Sequence, residues 1–327
     1  MKLQASIIIV NYGDNNLTLN CIKSILAAQN DIIYEIIVVD NNKEKSSLKQ
    51  LKFWFIKNNN IFVVKNHTKN NGFSNGIKIG SNKAKFNNLI ILDNDTTVTD
   101  NWLPPLLTTL QSSNVGIATS FIKDSSIGLN ICGGVLNKLG FSYANTIKTK
   151  KTFNKKIAYG ITCWAIKKSV LSQVGIDVNF KFFCDDADIG VKTLSLGYNI
   201  VPCKNSVVYH YKHLKDKTSG VNGSKIITLN KDYLIFTYKN LNIAHFILFF
   251  IIFVLYKSFF IIPSVIKQRY RIEYYVYDLR GIIQFFRDKT KNNRKQENQR
   301  VKSINYVQFL ERLNSNFFIR PMLFGRC

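Results

Sequence analysis

NLIILDND, residues 88–95, contains four aliphatic residues in unbroken succession, closed by three polar ones. Apolar residues without polar alternation describe a strand covered on both faces, the condition of a parallel sheet lying under helices. The same design occurs at SIIIVNY (6–12), YEIIVVDNN (34–42) and IFVVKN (61–66). Between these runs, NLTLNCIKSILAAQ (16–29) and FSNGIKIGSNKAK (73–85) carry helical periodicity. Strands and helices in this order predict an α/β fold: a single Rossmann-like, mostly parallel sheet flanked by helices. Ligands of such sheets bind at the carboxyl ends of the strands. In this chain those ends carry Asn11, Asp40, Asn41 and the triplet Asp93, Asn94, Asp95.

From 96 onward the segments are mixed. TTVTDNW (96–102) reads as a turn leading to a helix near Trp102, and YGITCWAIKKSVLSQVG (159–175) as a strand running into a helix. DDADIGVKTLSLGYNIVPCKNSVVYHY (185–211) reads as a helix, a turn at Gly197 and a strand ending at His210. No repeat or long low-complexity linker interrupts these residues, so a catalytic domain is expected over 1–224. A helical, hydrophobic and basic membrane-associating region is expected over 225–327.

That second region begins with NIAHFILFFIIFVLYKSFFIIPSVI (242–266), broken by Lys257 and bent by Pro263. Neither half reaches the roughly 20 apolar residues that span a bilayer, although a single crossing with Lys257 snorkelling or paired stays open. RIEYYVYDLRGIIQFFR (271–287) places Ile272, Tyr275, Val276, Leu279, Ile282, Ile283 and Phe286 on one helical stripe, as in a helix lying in a membrane interface.

Charge follows the same division. The chain has 45 Lys+Arg against 20 Asp+Glu, a formal net charge of +25. From Lys267 to Arg326, 14 basic less 5 acidic residues leave +9 directly after the greasiest part of the chain. Basic residues beside an apolar segment favour an anionic membrane surface over nucleic acid as partner. The six cysteines, at 21, 132, 163, 184, 203 and 327, have no metal-binding or paired spacing, which fits reduced thiols. MKLQASIIIVNYG lacks the pattern of a signal peptide, so the expected location is the cytoplasmic face of the plasma membrane, with attachment through 245–287. Neither GxGxxG nor GxxxxGK[ST] occurs, which argues against a nicotinamide dehydrogenase or a P-loop nucleotidase.

Several strand ends bear chemistry. Asp93 and Asp95 can ligate a hard divalent cation that neutralises a diphosphate; the competing reading is a solvated turn. Asp40 stands where open α/β sheets bind a ribose or base, or is simply a turn residue. His210 is a structural imidazole or a ligand completing a site begun by Asp95. KFFCDDADIG (181–190) puts three carboxylates into four positions. A helix starting near Cys184 packs Ala187, Gly190, Val191 and Leu194, so that Asp185 points away and Asp186 and Asp188 border the packed face on opposite sides. Stabilisation of a helix N-terminus explains one or two of the acids. The third suggests a task such as general base catalysis.

In order and spacing these segments resemble glycosyltransferase family 2, inverting sugar-nucleotide-dependent enzymes of the GT-A fold. The resemblance rests on SIIIVNY, EIIVVDNN, NNGFSNGIKIG (70–80), LIILDNDT and DDADIGVKTLSLGYNIVPCKNSVVYH, across residues 5–211. Bacterial rhamnosyl- and galactofuranosyltransferases are nearest in style. The resemblance implies that Asp40 binds the donor nucleoside, with Asn11, Asn94 and the turn Asn71, Gly72 to Gly76 nearby. It further implies that Asp95, with Asp93 and His210, holds Mn²⁺ or Mg²⁺, and that Asp186 is the general base. Trp164 and Asp185 would lie beside the acceptor, a glycan or lipid-linked glycan. Lys192 stands where the family often has Arg, and NYGDNN departs from its more frequent T-Y-N. The competing reading from another class is a basic module for anionic lipid or nucleic acid, without catalysis. A polysaccharide synthase with its own channel would need several long spans and a Q-x-x-R-W motif, and neither is present.

Overall fold

The computed structural model describes residues 2–28, 31–67, 72–125, 128–147, 156–180, 183–211, 223–266, 272–289 and 306–313. Strands β1 (Gln4–Asn11), β2 (Ile33–Asp40), β3 (Ile61–Lys65) and β4 (Asn88–Asp93) alternate with helices α1 (Asn15–Ala27), α2 (Lys45–Phe55) and α3 (Phe73–Lys83). The four strands lie parallel in the order β3-β2-β1-β4. Their register brings the carboxyl ends level: Asn11 faces Asp40, Asp40 faces Lys65 and Val10 faces Asp93. Helix α2 is an addition to the sequence reading. Its buried side consists of Ser47, Leu51 and Phe55 at spacings of four, set among exposed lysines that mask the pattern.

Beyond β4 the sheet is mixed. β9 (Cys163–Lys167) runs antiparallel to β4, and β6 (Val115–Asp124) antiparallel to β9. β10 (Asn199–His210) runs parallel to β6, and β7 (Leu129–Leu136) and β8 (Ser142–Thr146) extend from β6 as antiparallel strands. Thr96–Val98, read as turn from its sequence, is a short strand, β5, paired antiparallel with the end of β10. The Thr96 hydroxyl donates to the Asp93 carbonyl, folding the chain back within three residues. Helices α4 (Leu103–Leu110), α5 (Lys168–Val174) and α6 (Asp185–Ser195) follow the expected places, and the turn at Gly197 has φ 90°.

Strand alternation separates two cores. Ile7 and Ile9 pack with Cys21, Ile22 and Ile25 of α1 and Leu103 and Leu106 of α4. Ile8 and Val10, one residue out of phase, pack on the opposite side with Ile77 of α3, Trp164, Ile189 and Val191. The second core continues into helix α7 (Gly223–Asn240), which contributes Tyr233, Leu234 and Phe236, and into α8 (Ile243–Ile266), which contributes Phe246, Phe249 and Phe253.

Helices α9 (Ile272–Lys289) and α10 (Tyr306–Glu311) complete the described tail. Lys257 is paired: its ammonium lies 2.8 Å from Asp278 of α9, which also accepts from Asn230 of α7. This contact turns Asp278, Gly281 and Phe285 inward. Of the stripe expected along this helix, Ile282 is half-buried while Val276, Leu279, Ile283 and Phe286 are exposed. The Ile272 and Tyr275 side chains fall outside the described residues. Among the described residues, no helix is long and apolar enough to cross a membrane.

Candidate active site

Where the parallel strands end, Asp40 is a fully buried hub. Its Oδ1 accepts from Asn11 Nδ2 and Ser47 Oγ, each at 2.9 Å, and its Oδ2 from Lys65 Nζ at 2.9 Å. Asn94 Nδ2 reaches Thr18 Oγ1 at 3.1 Å, and Thr18 in turn donates to Asn11 Oδ1. Asn11, Asp40 and Asn94 therefore belong to one hydrogen-bonded corner. Within it Asp40 uses both oxygens on protein groups and fixes the shape of the loops that follow β1 and β2.

A second cluster lies at the end of β4. Asp93, Asp95 and His210 offer ligand atoms within 4.8 Å of one another. His210 Nε2 is 3.3 Å from Asp95 Oδ1, and its Nδ1 is 3.0 Å from Asp124 Oδ2. The pairing of β10 with both β5 and β6 sets this arrangement, because His210 lies opposite Thr96 on one side and Asp124 on the other. Two hard carboxylates with one imidazole suit a divalent cation such as Mn²⁺.

The third group comes from α6. Its N-cap, Cys184, adopts a left-handed conformation with φ 64°, and Asp185 and Asp186 follow as its first two residues. Asp185, expected to point away, is buried, because Ser74 of α3 donates to it at 3.3 Å. Asp188 is also buried; it lies 2.7 Å from Lys192 and accepts from Asn240 of α7 at 2.8 Å. Asp186 accepts from the Trp164 indole, and its Oδ1 is buried without a hydrogen-bond partner among the described residues. Gly190 allows α6 to sit this close: a Cβ there would lie 2.2 Å from the Ala158 carbonyl oxygen.

The charges interact. Burial, followed by the charge of Asp95, raises Asp93 to about 7. Burial raises Asp185 to about 6. Burial, then the charges of Asp185 and Asp93, raise Asp186 well above the usual carboxylate range. For His210, burial alone would act downward, but the hydrogen bond and charge of Asp95, with Asp93 and Asp124, raise it to about 9. Carboxylates that hold one another's protons on are relieved by a bound cation, which is the electrostatic counterpart of the ligand geometry.

The family model for Glycosyl transferase family 2 matches residues 6–175, more than half of the chain. The chain belongs to glycosyl transferase family 2. It is 35% identical over 109 residues to a Caenorhabditis briggsae protein named as a polypeptide N-acetylgalactosaminyltransferase 10, covering 31% of this chain and 17% of that one. Among solved structures it is similar to GalNAc-T7 with UDP, GalNAc and Mn²⁺, with TM-score 0.57 and 18% identity over 73% of this chain and 48% of that one. It is also similar to the mannosyltransferase PcManGT from Pyrobaculum calidifontis in complex with GDP-Man and Mn²⁺, with TM-score 0.54 and 11% identity over 88% of each chain. This chain thus spans about half of the GalNAc-T7 chain and less than a fifth of the worm relative. At these identities the solved structures show a shared fold.

In this family 2 chain the structure brings together Asp93, Asp95 and His210 by geometry, and Asp93, Asp185 and Asp186 by charge. Trp164, expected beside the acceptor, is 1% exposed, so its ring faces protein; its link to the site is the bond to Asp186. Gly72 caps α3. Gly76 lies where a Cβ would come within 2.6 Å of Val10, which gives this glycine a packing reason. Asn71 lies outside the described residues. Ser47, Lys65, Ser74 and Asp124 escaped the sequence reading. Asp124 alone carried a usable signal there, an acid closing the apolar strand VGIATSFIKD (115–124).

Proposed function

We propose that this chain is an inverting glycosyltransferase that moves a sugar from a UDP- or dTDP-sugar, such as galactofuranose or rhamnose, to a hydroxyl of a lipid-linked or cell-surface glycan. The observation that supports it most is Asp186: one oxygen is held by Trp164 and the other is buried and unpartnered among the described residues, within reach of the charges of Asp185 and Asp93. In this reading Asp186 Oδ1 takes the proton of the acceptor hydroxyl. The acceptor oxygen attacks the anomeric carbon from the face opposite the phosphate, and the anomeric C–O bond breaks with its electron pair leaving on the nucleoside diphosphate. A cation held by Asp93, Asp95 and His210 would supply positive charge for that leaving group. The Asp40 corner would seat the nucleoside; GalNAc-T7 and PcManGT, which share the fold, are seen with UDP and GDP-Man, each with Mn²⁺. A donor panel with Mn²⁺ tests the function: nucleotide release from at least one UDP- or dTDP-sugar, dependent on an acceptor glycan, is expected. Silence across the panel would defeat the proposal.

The same proposal places the enzyme on the cytoplasmic face of the plasma membrane. Ile243, Ile247, Ile251 and Leu255 form an exposed row at spacings of four on α8, and α9 exposes Val276, Leu279, Ile283 and Phe286. Arg280 and Arg287 are exposed beside the α9 residues, a charge pattern that complements anionic lipid. The chain should float with vesicles rich in phosphatidylglycerol. Changing Ile247, Ile251, Ile283 and Phe286 together to Ser, all outside the core, should weaken that partitioning more than about tenfold, since each buried aliphatic side chain is worth roughly 1.5–3 kcal/mol. Undiminished flotation would remove these faces from the membrane contact.

A further inference from the structure

Asp124 lies outside the Asp93, Asp95 and His210 cluster, yet the end of β6 sets it directly across from His210 on β10. It is buried, and its Oδ2 is 3.0 Å from His210 Nδ1. Backbone contacts lock the same position from behind, because both the amide and the hydroxyl of Ser125 donate to the His210 carbonyl, at 3.2 and 3.1 Å. The imidazole is thus gripped on its Nδ1 side, while Nε2 points at Asp95, 3.3 Å away. An imidazole can ligate through a nitrogen only if that nitrogen carries a lone pair, and the hydrogen bond made by the other nitrogen decides which one does.

From this we infer that Asp124 is the positioning residue of the cation site: its carboxylate keeps the proton on His210 Nδ1 and aims Nε2 at the ion held with Asp93 and Asp95. This rests on the reading of those three residues as ligands. A carboxylate is suited to the role because it only accepts. An amide in its place can present its NH₂ to Nδ1, and this would move the proton to Nε2 and close the lone pair to the ion.

Mn²⁺ binding to the full chain, followed by the electron paramagnetic resonance of free Mn²⁺, tests the inference without turnover. Asp124→Asn is isosteric and should weaken Mn²⁺ binding by about 10- to 100-fold, the usual effect of losing such a partner. An affinity within twofold of the parent's would overturn the role of Asp124 and leave the cation site standing. A parent chain that binds no Mn²⁺ would remove the site itself, and the role with it. Should the variant fail to fold, imidazole ¹⁵N spectra of the parent loaded with diamagnetic Cd²⁺ decide the matter. A proton on His210 Nδ1 supports the inference, and a proton on Nε2 overturns it.

Discussion

Replacing Asp186 by Asn leaves a chain that folds and binds its donor but transfers sugar about 10²- to 10⁴-fold more slowly, the range that separates reactions with and without a positioned base. The substitution keeps the shape of the side chain and the Trp164 contact on one oxygen, while removing the carboxylate that takes the proton in this reading. The loss should fall on turnover, with donor affinity unchanged, because the Asp40 corner and the Asp93, Asp95 and His210 cluster are made by other strands. A pH series sharpens the expectation. Burial and the neighbouring acids raise Asp186 above the usual carboxylate range, and only its deprotonated form can act as base, so the rate rises as pH climbs through that raised value. The acid limb of the profile should therefore lie higher than for an ordinary carboxylate, and it should vanish in the residual activity of Asp186→Asn. Steady-state rates of nucleotide release measure both. A variant as active as the parent would take the base away from Asp186, and a parent without transfer activity would favour the basic binding module instead.

Substituting Lys192 by Met is expected to cost about 3–5 kcal/mol of stability, the penalty of stranding one member of a buried ion pair. Lys192 and Asp188 lie one helical turn apart, 2.7 Å from each other, with side chains 6% and 1% exposed. Burial already raises Asp188, and the Lys192 charge is the main influence holding it down. Combining Lys192→Met with Asp188→Asn should recover most of the loss, since Asn retains an oxygen for Asn240 and leaves no charge behind. Urea midpoints of the two single variants and the double variant give the coupling. Additive losses would show that the two side chains do not act as a pair.

Much of the architecture could be read in the sequence because it follows from local rules. The aliphatic runs at 6–12, 34–42, 61–66 and 88–95 are all strands, and their polar ends meet at one edge because the parallel register sets them nearly level. The family resemblance implies Asp93, Asp95 and His210 as a set, and the geometry brings them together. The features not legible in the sequence are decided by partners distant along the chain. β5 is a strand only because β10 arrives more than a hundred residues later. Asp185 is buried only because Ser74 of α3 reaches it, whereas a helical wheel drawn for α6 alone turns it outward. Trp164 was legible as an aromatic near the site, but its role in holding Asp186 depends on β9 lying beside β4. In the tail, amphipathic spacing identifies α9, but Ile282, expected on the exposed stripe, is half-buried, since Lys257 and Asn230 draw the Asp278 side of the helix inward.

The ties between α6 and α7 bear on how such a protein can be recombined. Asp188 is bonded to Asn240, and Asp177, just before α6, is held by Lys239, so two residues at the end of α7 support the segment that carries Asp186. A chimera that joined the strands and α6 of this chain to the α7 of a relative would pair two buried carboxylates with whatever residues that relative places at 239 and 240. The exchangeable block for transplanting α6 therefore runs from Asp177 to Asn240, and the splice belongs in the short link before α8.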